Sequence, residues 1–153
     1  MINITVKIDG LSEIQRSLRL APAMTVKEVS KAVQKSMLTV QSNAIKEAPV
    51  NKQSGGGNLR QSIKSAMTSV LRGEVVAGAK YAAYVEEGTR PHPIAVVNKK
   101  VLANKRTGQF FGKLVHHPGT RANPFMLRAI EKSREKIIGF FKIAMINVVK
   151  SIK

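Results

Sequence analysis

The C-terminal segment constrains the fold more than any other stretch. From Pro124 to about Ser151, the apolar residues Met126, Ile130, Ile137, Phe141, Met145, Val148 and Ile152 form one stripe at helical spacing, and a helix of that span would be about 40 Å long. Asn123 is predicted as its N-cap, with Pro124 at the first helical position, where a missing N–H costs nothing. A second long amphipathic segment precedes it. Val26, Val29, Val33, Met37, Val40 and Ala44 follow one another at intervals of three, four, four, three and four residues. Thr25 is the predicted cap of that helix, Lys27, Lys31, Lys35, Gln41 and Lys46 its outward face, and Pro49 the stop just beyond its end.

Strand patterns are short and few. Ile2, Ile4, Val6 and Ile8 alternate with polar residues up to Asp9-Gly10, the signature of a half-buried strand. Ser12 is a plausible cap for a short helix carrying Leu11, Ile14 and Leu18 and ending before Pro22. Asn51 to Asn58 reads NKQSGGGN, a flexible glycine-rich loop. Leu59 to Ser65 reads as a helical turn leading into a strand, and Gly73 to Gly78 as a second strand reached through Leu71-Arg72, giving an antiparallel pair. Tyr81 to Gly88 is a short helix with Tyr81, Tyr84 and Val85 on one face and Gly88 as its stop. Pro91 and Pro93 then force an extended path. Val96-Val97 and Lys113-Leu114-Val115 are the arms of a hairpin with its tip at Asn104 to Gly108, and Pro118-Gly119 marks the turn after it. The fold class is therefore α+β: a small, mostly antiparallel sheet packed against a long central helix and a long C-terminal helix, with a basic extended insertion over 91–119, in a single domain spanning 1–153.

The charge balance narrows the partners. Twenty-six Lys+Arg against nine Asp+Glu give a formal net charge of +17, and 43% hydrophobic residues is too many for a disordered chain. From Thr89 to Thr120 the chain holds Arg90, Lys99, Lys100, Lys105, Arg106 and Lys113 and no acidic residue. Such a segment suits contact with a polyanion. Base reading is poorly supplied, because Phe110 and Phe111 are the only stacking aromatics in the segment and the chain has no Trp. The absence of cysteine excludes disulfides, thiolate metal sites and Cys nucleophiles, and is compatible with a reducing cytoplasm. The apolar run Ile137-Ile138-Gly139-Phe140-Phe141 stops at Lys142, far short of a membrane span. The N-terminus has no secretory-signal pattern, so the mature chain is expected to begin at or near Met1.

Tests for chemistry come out empty. Glu86 and Glu87 are neighbours on a helix and diverge by about 100°, so they cannot face one bond. His116 and His117 point to opposite sides of an extended segment; only an approach of His92 across the hairpin would bring imidazoles together. The glycine triplet is followed by Asn58-Leu59-Arg60 rather than the Lys-Ser/Thr of a phosphate-binding loop, and no serine sits in G-x-S-x-G. No catalytic residue, cofactor or metal is predicted.

What stands out is an order of blocks. An aromatic short helix ends in Glu-Gly-Thr, a basic insertion follows, and a Pro-Gly-Thr turn feeds a helix beginning Asn-Pro-Phe. Tyr81-Ala82-Ala83-Tyr84-Val85-Glu86-Glu87-Gly88-Thr89, Ala122 to Ile130 and Gly57-Asn58-Leu59-Arg60-Gln61-Ser62-Ile63 resemble, in order, the sequence blocks of the neck and tail-completion family of long-tailed, lambda-like bacteriophages. Arg128-Ala129 stands where many members have Pro-Ala. The resemblance implies a non-enzymatic virion protein that assembles as a ring, expected to be a hexamer, at the end of the tail facing the head. Its implied partners are copies of itself, neighbouring tail-terminator or tail-tube proteins, head-completion or connector proteins, and genomic DNA passing through the ring, with no membrane; assembly would take place in the host cytoplasm. Arg90, Lys99, Lys100, Lys105, Arg106 and Lys113 are the expected partner contacts, although Lys99 to Lys113 looks like a variable insertion. Tyr81, Tyr84 and Phe125 are expected in the core, with Gly88, Thr89, Asn123 and Pro124 at the turns. The alternative is a cellular protein that binds duplex DNA through nonspecific phosphate contacts.

Overall fold

The computed structural model describes residues 4–7, 23–50, 56–97, 101–103 and 107–151. In chain order the elements are β1 (Ile4–Lys7), α1 (Ala23–Glu47), α2 (Asn58–Ser62), β2 (Ile63–Ser69), β3 (Arg72–Ala77), α3 (Ala82–Glu87), β4 (His92–Ala95), β5 (Leu102–Ala103), β6 (Phe110–Gly112), β7 (Leu114–His117) and α4 (Phe125–Ser151). The fold is α+β, as the patterns predict. The chain divides into two compact units, one made of Met1–Ala83 and Pro124–Lys153, the other of Tyr84–Asn123. The short helix expected around Ser12 lies outside the described residues.

In the first unit the two apolar stripes face each other. α1 and α4 run antiparallel: Glu47, at the end of α1, pairs with Arg128 (3.0 Å) and Lys132 near the start of α4, while Glu28, near the start of α1, accepts from Asn147 near the end of α4 (2.9 Å). α1 contains neither Gly nor Pro and buries Val29, Val33, Met37, Val40 and Ala44 as expected. Between these lie the small residues Ala32 and Ser36; Ala129, Ser133 and Ala144 do the same on α4. Small side chains at a helix seam let the two backbones approach closely. The hydroxyls this buries are satisfied. Ser36 donates to Ala32 O (2.7 Å), Ser133 to Ala129 O (2.6 Å), and the Asn43 amide donates to Ser133 Oγ across the seam (2.9 Å).

Three expectations need correction here. Thr25 is not a cap: α1 already begins at Ala23, directly after Pro22, so Thr25 falls in the first turn and is buried. Gln41 does not face outward, because its amide bridges to the sheet, donating to Ile63 O (3.0 Å) and accepting from Ser65 Oγ (2.7 Å). Met145 leaves the α4 stripe and is 51% exposed, since Ala144 takes the seam position beside it. The first bond of α4 runs from the Arg128 N–H to Pro124 O (3.1 Å).

The sheet lies against α1. Its order is β1-β3-β2, antiparallel throughout, with Ile4 opposite Ala77 on one side of β3 and Ile63 opposite Ala77 on the other. Alternation along β3 buries Gly73, Val75 and Ala77. A Cβ at Gly73 would fall 1.8 Å from Met37 Sδ, so the missing side chain is what lets Met37 lie against the strand. α2 leads directly into β2, as predicted. From it Arg60 donates to Ala48 O (2.9 Å) and Lys46 O (3.3 Å), satisfying carbonyls left open at the C-terminal end of α1.

The second unit is a pair of two-stranded ladders, β4 with β7 and β5 with β6. β4 and β7 pair with His92 opposite His117 and Ala95 opposite Leu114, and Val96 N–H continues the ladder to Lys113 O (3.1 Å). A hairpin forms in this stretch, but its first arm is His92–Ala95 rather than the predicted Val96-Val97 and its second runs on to His117, because the extended path set by Pro91 and Pro93 itself enters the ladder.

Candidate functional site

Two Gly-Thr pairs, thirty-one residues apart in sequence, meet at the root of the hairpin. Thr89 and Thr120 exchange both backbone bonds, N–H to O at 2.9 and 3.1 Å, and form an isolated antiparallel bridge. Their hydroxyls lie 3.0 Å apart, and the Thr120 N–H also reaches Thr89 Oγ1 (2.9 Å). The glycine before each threonine makes this approach possible. Gly88 has φ +75° and a Cβ there would stand 2.5 Å from Thr120 O; Gly119 has φ +85° and a Cβ there would stand 2.2 Å from Thr89 O. Both positions therefore require glycine twice over, for the left-handed backbone and for the contact. Beyond the clasp, Asn123 N–H donates to Val85 O (2.9 Å), tying the outgoing chain to α3.

The histidines flank the clasp. His92 and His117 are cross-strand partners with ring centroids 5.1 Å apart and planes 28° from parallel. A carbonyl only accepts, so His92 Nδ1 carries the proton it gives to Arg90 O (2.9 Å). An amide only donates, so His117 Nδ1 is the acceptor for Gly119 N–H (3.0 Å). The two rings thus differ at Nδ1, protonated in His92 and unprotonated in His117. Among the described residues no group of three or more His, Asp or Glu is placed to hold a metal ion.

Of the expected contact residues, Arg90 and Lys113 are exposed, and Lys99, Lys100, Lys105 and Arg106 lie outside the described residues. Lys113 follows Gly112, whose φ of +85° turns the chain between β6 and β7. Phe110 and Phe111 stand 74% and 44% exposed. Gly88, with φ +75°, directly follows α3, and Thr89 lies in the bridge to Thr120 rather than in a turn. Phe125 is fully buried, but Tyr81 and Tyr84 are 45% and 55% exposed and do not belong to the core. On the single turn and a half of α3 the inward places go to Ala82 and Ala83, which leaves the tyrosines on the other side.

Two carboxylates titrate below the ordinary value of 4.5. Glu47 is held down first by the hydrogen bond from Lys132 and then by that from Arg128; Glu28 is held down first by Lys31 (2.6 Å) and then by Asn147. They lie nineteen residues apart on α1, about 28 Å along the axis, so they cross-link the helix ends and do not form an acid pair. Sequence reading missed this cluster and the clasp. The repeated Gly-Thr at either end of an acid-free insertion was the available signal for the clasp; nothing in the spacing announces the partners of Glu47. No described helix is long and apolar enough to cross a membrane.

A family model described as "Bacteriophage HK97-gp10, putative tail-component" matches residues 12–88, just over half of the chain. The match takes in α1, the sheet strands β2 and β3, and α3 up to Gly88. Curated proteins and solved structures gave no match.

Proposed function

Since the chain belongs to the HK97-gp10-like family of structural bacteriophage tail components, we propose that it is one subunit of a closed ring, a hexamer, in the neck of a tailed virion, where it completes the tail or joins it to the head. A ring subunit needs two different lateral surfaces that complement each other and close. The observation that carries the reading beyond family membership is on α4. Leu127, Ile138, Met145 and Val149 are each about half exposed and follow one another at eleven, seven and four residues, which places them on one face of the helix, away from the seam. An apolar face of this kind on a protein with net charge +17 is more consistent with burial against protein than with permanent hydration. In the assembled particle the neighbours would be tail-tube or tail-terminator proteins on one side and head-completion or connector proteins on the other. The acid-free hairpin with Arg90, Lys99, Lys100, Lys105, Arg106 and Lys113 would face a polyanion, either the DNA in the channel or an acidic ring.

Negative-stain electron microscopy of the purified protein tests the ring directly. Closed rings in the absence of DNA are expected. A chain that stays monomeric and binds duplex DNA with an affinity falling steeply in salt would instead support the cellular DNA-binding alternative. Gln substitution of Lys99, Lys100, Lys105, Arg106 and Lys113 together is expected to weaken head–tail joining; joining and salt sensitivity both unchanged would remove the polyanion role.

A further inference from the structure

The seam between α1 and α4 opens at one end into a groove whose chemistry is not that of the exposed α4 face. Its floor is formed by Ala32 and Ala144, two small buried residues that leave a furrow, and one wall by Phe140 and Ile143. Phe140 is half-buried, and Ile143 is 56% exposed. The opposite rim carries Lys31 and Lys35, one turn apart on α1. Lys136 and Lys150 are exposed and lie seven residues to either side of Ile143, two turns away on the same face of α4. The acid in the groove is already engaged. Glu28 takes hydrogen bonds from Lys31 (2.6 Å) and Asn147 (2.9 Å), which leaves Lys35, Lys136 and Lys150 without an ion-pair partner among the described residues.

We infer that this groove docks an acidic amphipathic segment of another protein, with an apolar side chain seated over Ala32 and Ala144 against Ile143 and carboxylates meeting the surrounding lysines. Charge complementarity selects this occupant over the others. A second copy of the chain is poorly suited, because it brings nine acidic residues against twenty-six basic ones, and Glu28, Glu47 and Glu74 are already in ion pairs. A nucleic-acid backbone matches the lysines and offers nothing aliphatic to cover Ile143. A helix or strand with apolar residues on one side and Asp or Glu beside them satisfies both features, in the manner of helix-in-groove recognition. The inference stands on the helix pair alone and does not depend on the ring.

The full chain can be titrated, by fluorescence anisotropy, into a labelled synthetic peptide with leucines on one helical face and glutamates on the other, next to a scrambled peptide of identical composition. The patterned peptide is expected to bind at least about tenfold more tightly than the scrambled one and to shift the amide resonances of Ala32 and Ile143. The double substitution Lys31→Gln, Lys35→Gln should weaken binding and flatten its salt dependence, whereas Ile143→Ser should weaken it by about tenfold with the salt dependence kept. All three side chains are exposed, but Lys31→Gln also removes the ion pair to Glu28, so the thermal midpoint of each variant is measured beside its affinity, and binding lost well below that midpoint is lost docking rather than lost folding. Equal binding of the two peptides, no binding, affinity unaffected by either variant, or displacement of the peptide by duplex DNA would each overturn the inference.

Discussion

The two units of this chain are held together by different physics. Around α1 and α4 the structure rests on side chains: Phe125, Met126, Val29, Val40 and their neighbours are removed from water, and a glycine in β3 makes room for a methionine. Between Tyr84 and Asn123 no described residue is buried, and what remains is backbone pairing with a few polar side chains beside it: two ladders, the Thr89–Thr120 bridge and its hydroxyls, the stacked His92 and His117 rings, and glycines with positive φ at 88, 108, 112 and 119. The first unit gains its stability from apolar burial and tolerates surface change. The second has no core among its described residues, and a hairpin without one is marginal by itself, so its geometry is specified by a few positions where only glycine fits. From Thr89 to Thr120, within this unit, the chain carries six cations and no acid, the unit's two carboxylates, Glu86 and Glu87, standing earlier on α3.

That contrast can be broken most severely in the core. Phe125→Ala should destabilise the protein by about 3–5 kcal/mol in urea unfolding, since the ring is fully buried. A loss below about 1 kcal/mol would mean that the start of α4 packs differently. Gly73→Ala comes next. The new methyl collides with the buried Met37 side chain, and a cost of about 1–3 kcal/mol is expected from overpacking, with Met37→Ala in the same chain relieving part of it.

A smaller effect should follow acidification. Glu47 and Glu28 have folded-state values depressed below 4.5, so their contribution is fully present above that pH and is lost as pH falls through the lower folded values. Thermal midpoints should therefore drop below pH 4.5, and Glu47→Gln should lower the midpoint at neutral pH while flattening the acid limb. An acid limb identical in the variant would show that Arg128 and Lys132 do not hold that carboxylate. The smallest change is expected at Tyr84→Ala, within about 0.5 kcal/mol, because the ring is 55% exposed. If ring assembly responds to that substitution while stability does not, the tyrosine face belongs to a contact surface.

Much of the first unit was legible in the sequence because its determinants are periodic. The spacing of Val29, Val33, Met37, Val40 and Ala44 defines the buried face of α1 without reference to anything distant. The α4 stripe was read less well. Apolar side chains on two faces of that helix leave periodicity ambiguous, and the seam is marked by Ala129, Ser133 and Ala144, which hydrophobicity undervalues. Tyr81 and Tyr84 were expected inside because they share a helix face with Val85, whereas the buried positions of α3 are the small Ala82 and Ala83. Gln41 gave no sign of its partners, since Ser65 and the Ile63 carbonyl are more than twenty residues away. The clasp was half legible: Gly88 and Gly119 could each be assigned to a turn, but pairing them needed the return path of the chain.

The most direct test of the contrast is amide hydrogen exchange on the full chain and on Gly119→Ala. The substitution places a Cβ into the Thr89 carbonyl at a residue with φ +85°. Protection at Thr89, Thr120 and the β4–β7 ladder should collapse, while the amides of Val40 and Ala129 keep theirs. Protection lost throughout α1 and α4, or retained at Thr89 and Thr120, would contradict a hairpin held by its backbone clasp independently of the helical core.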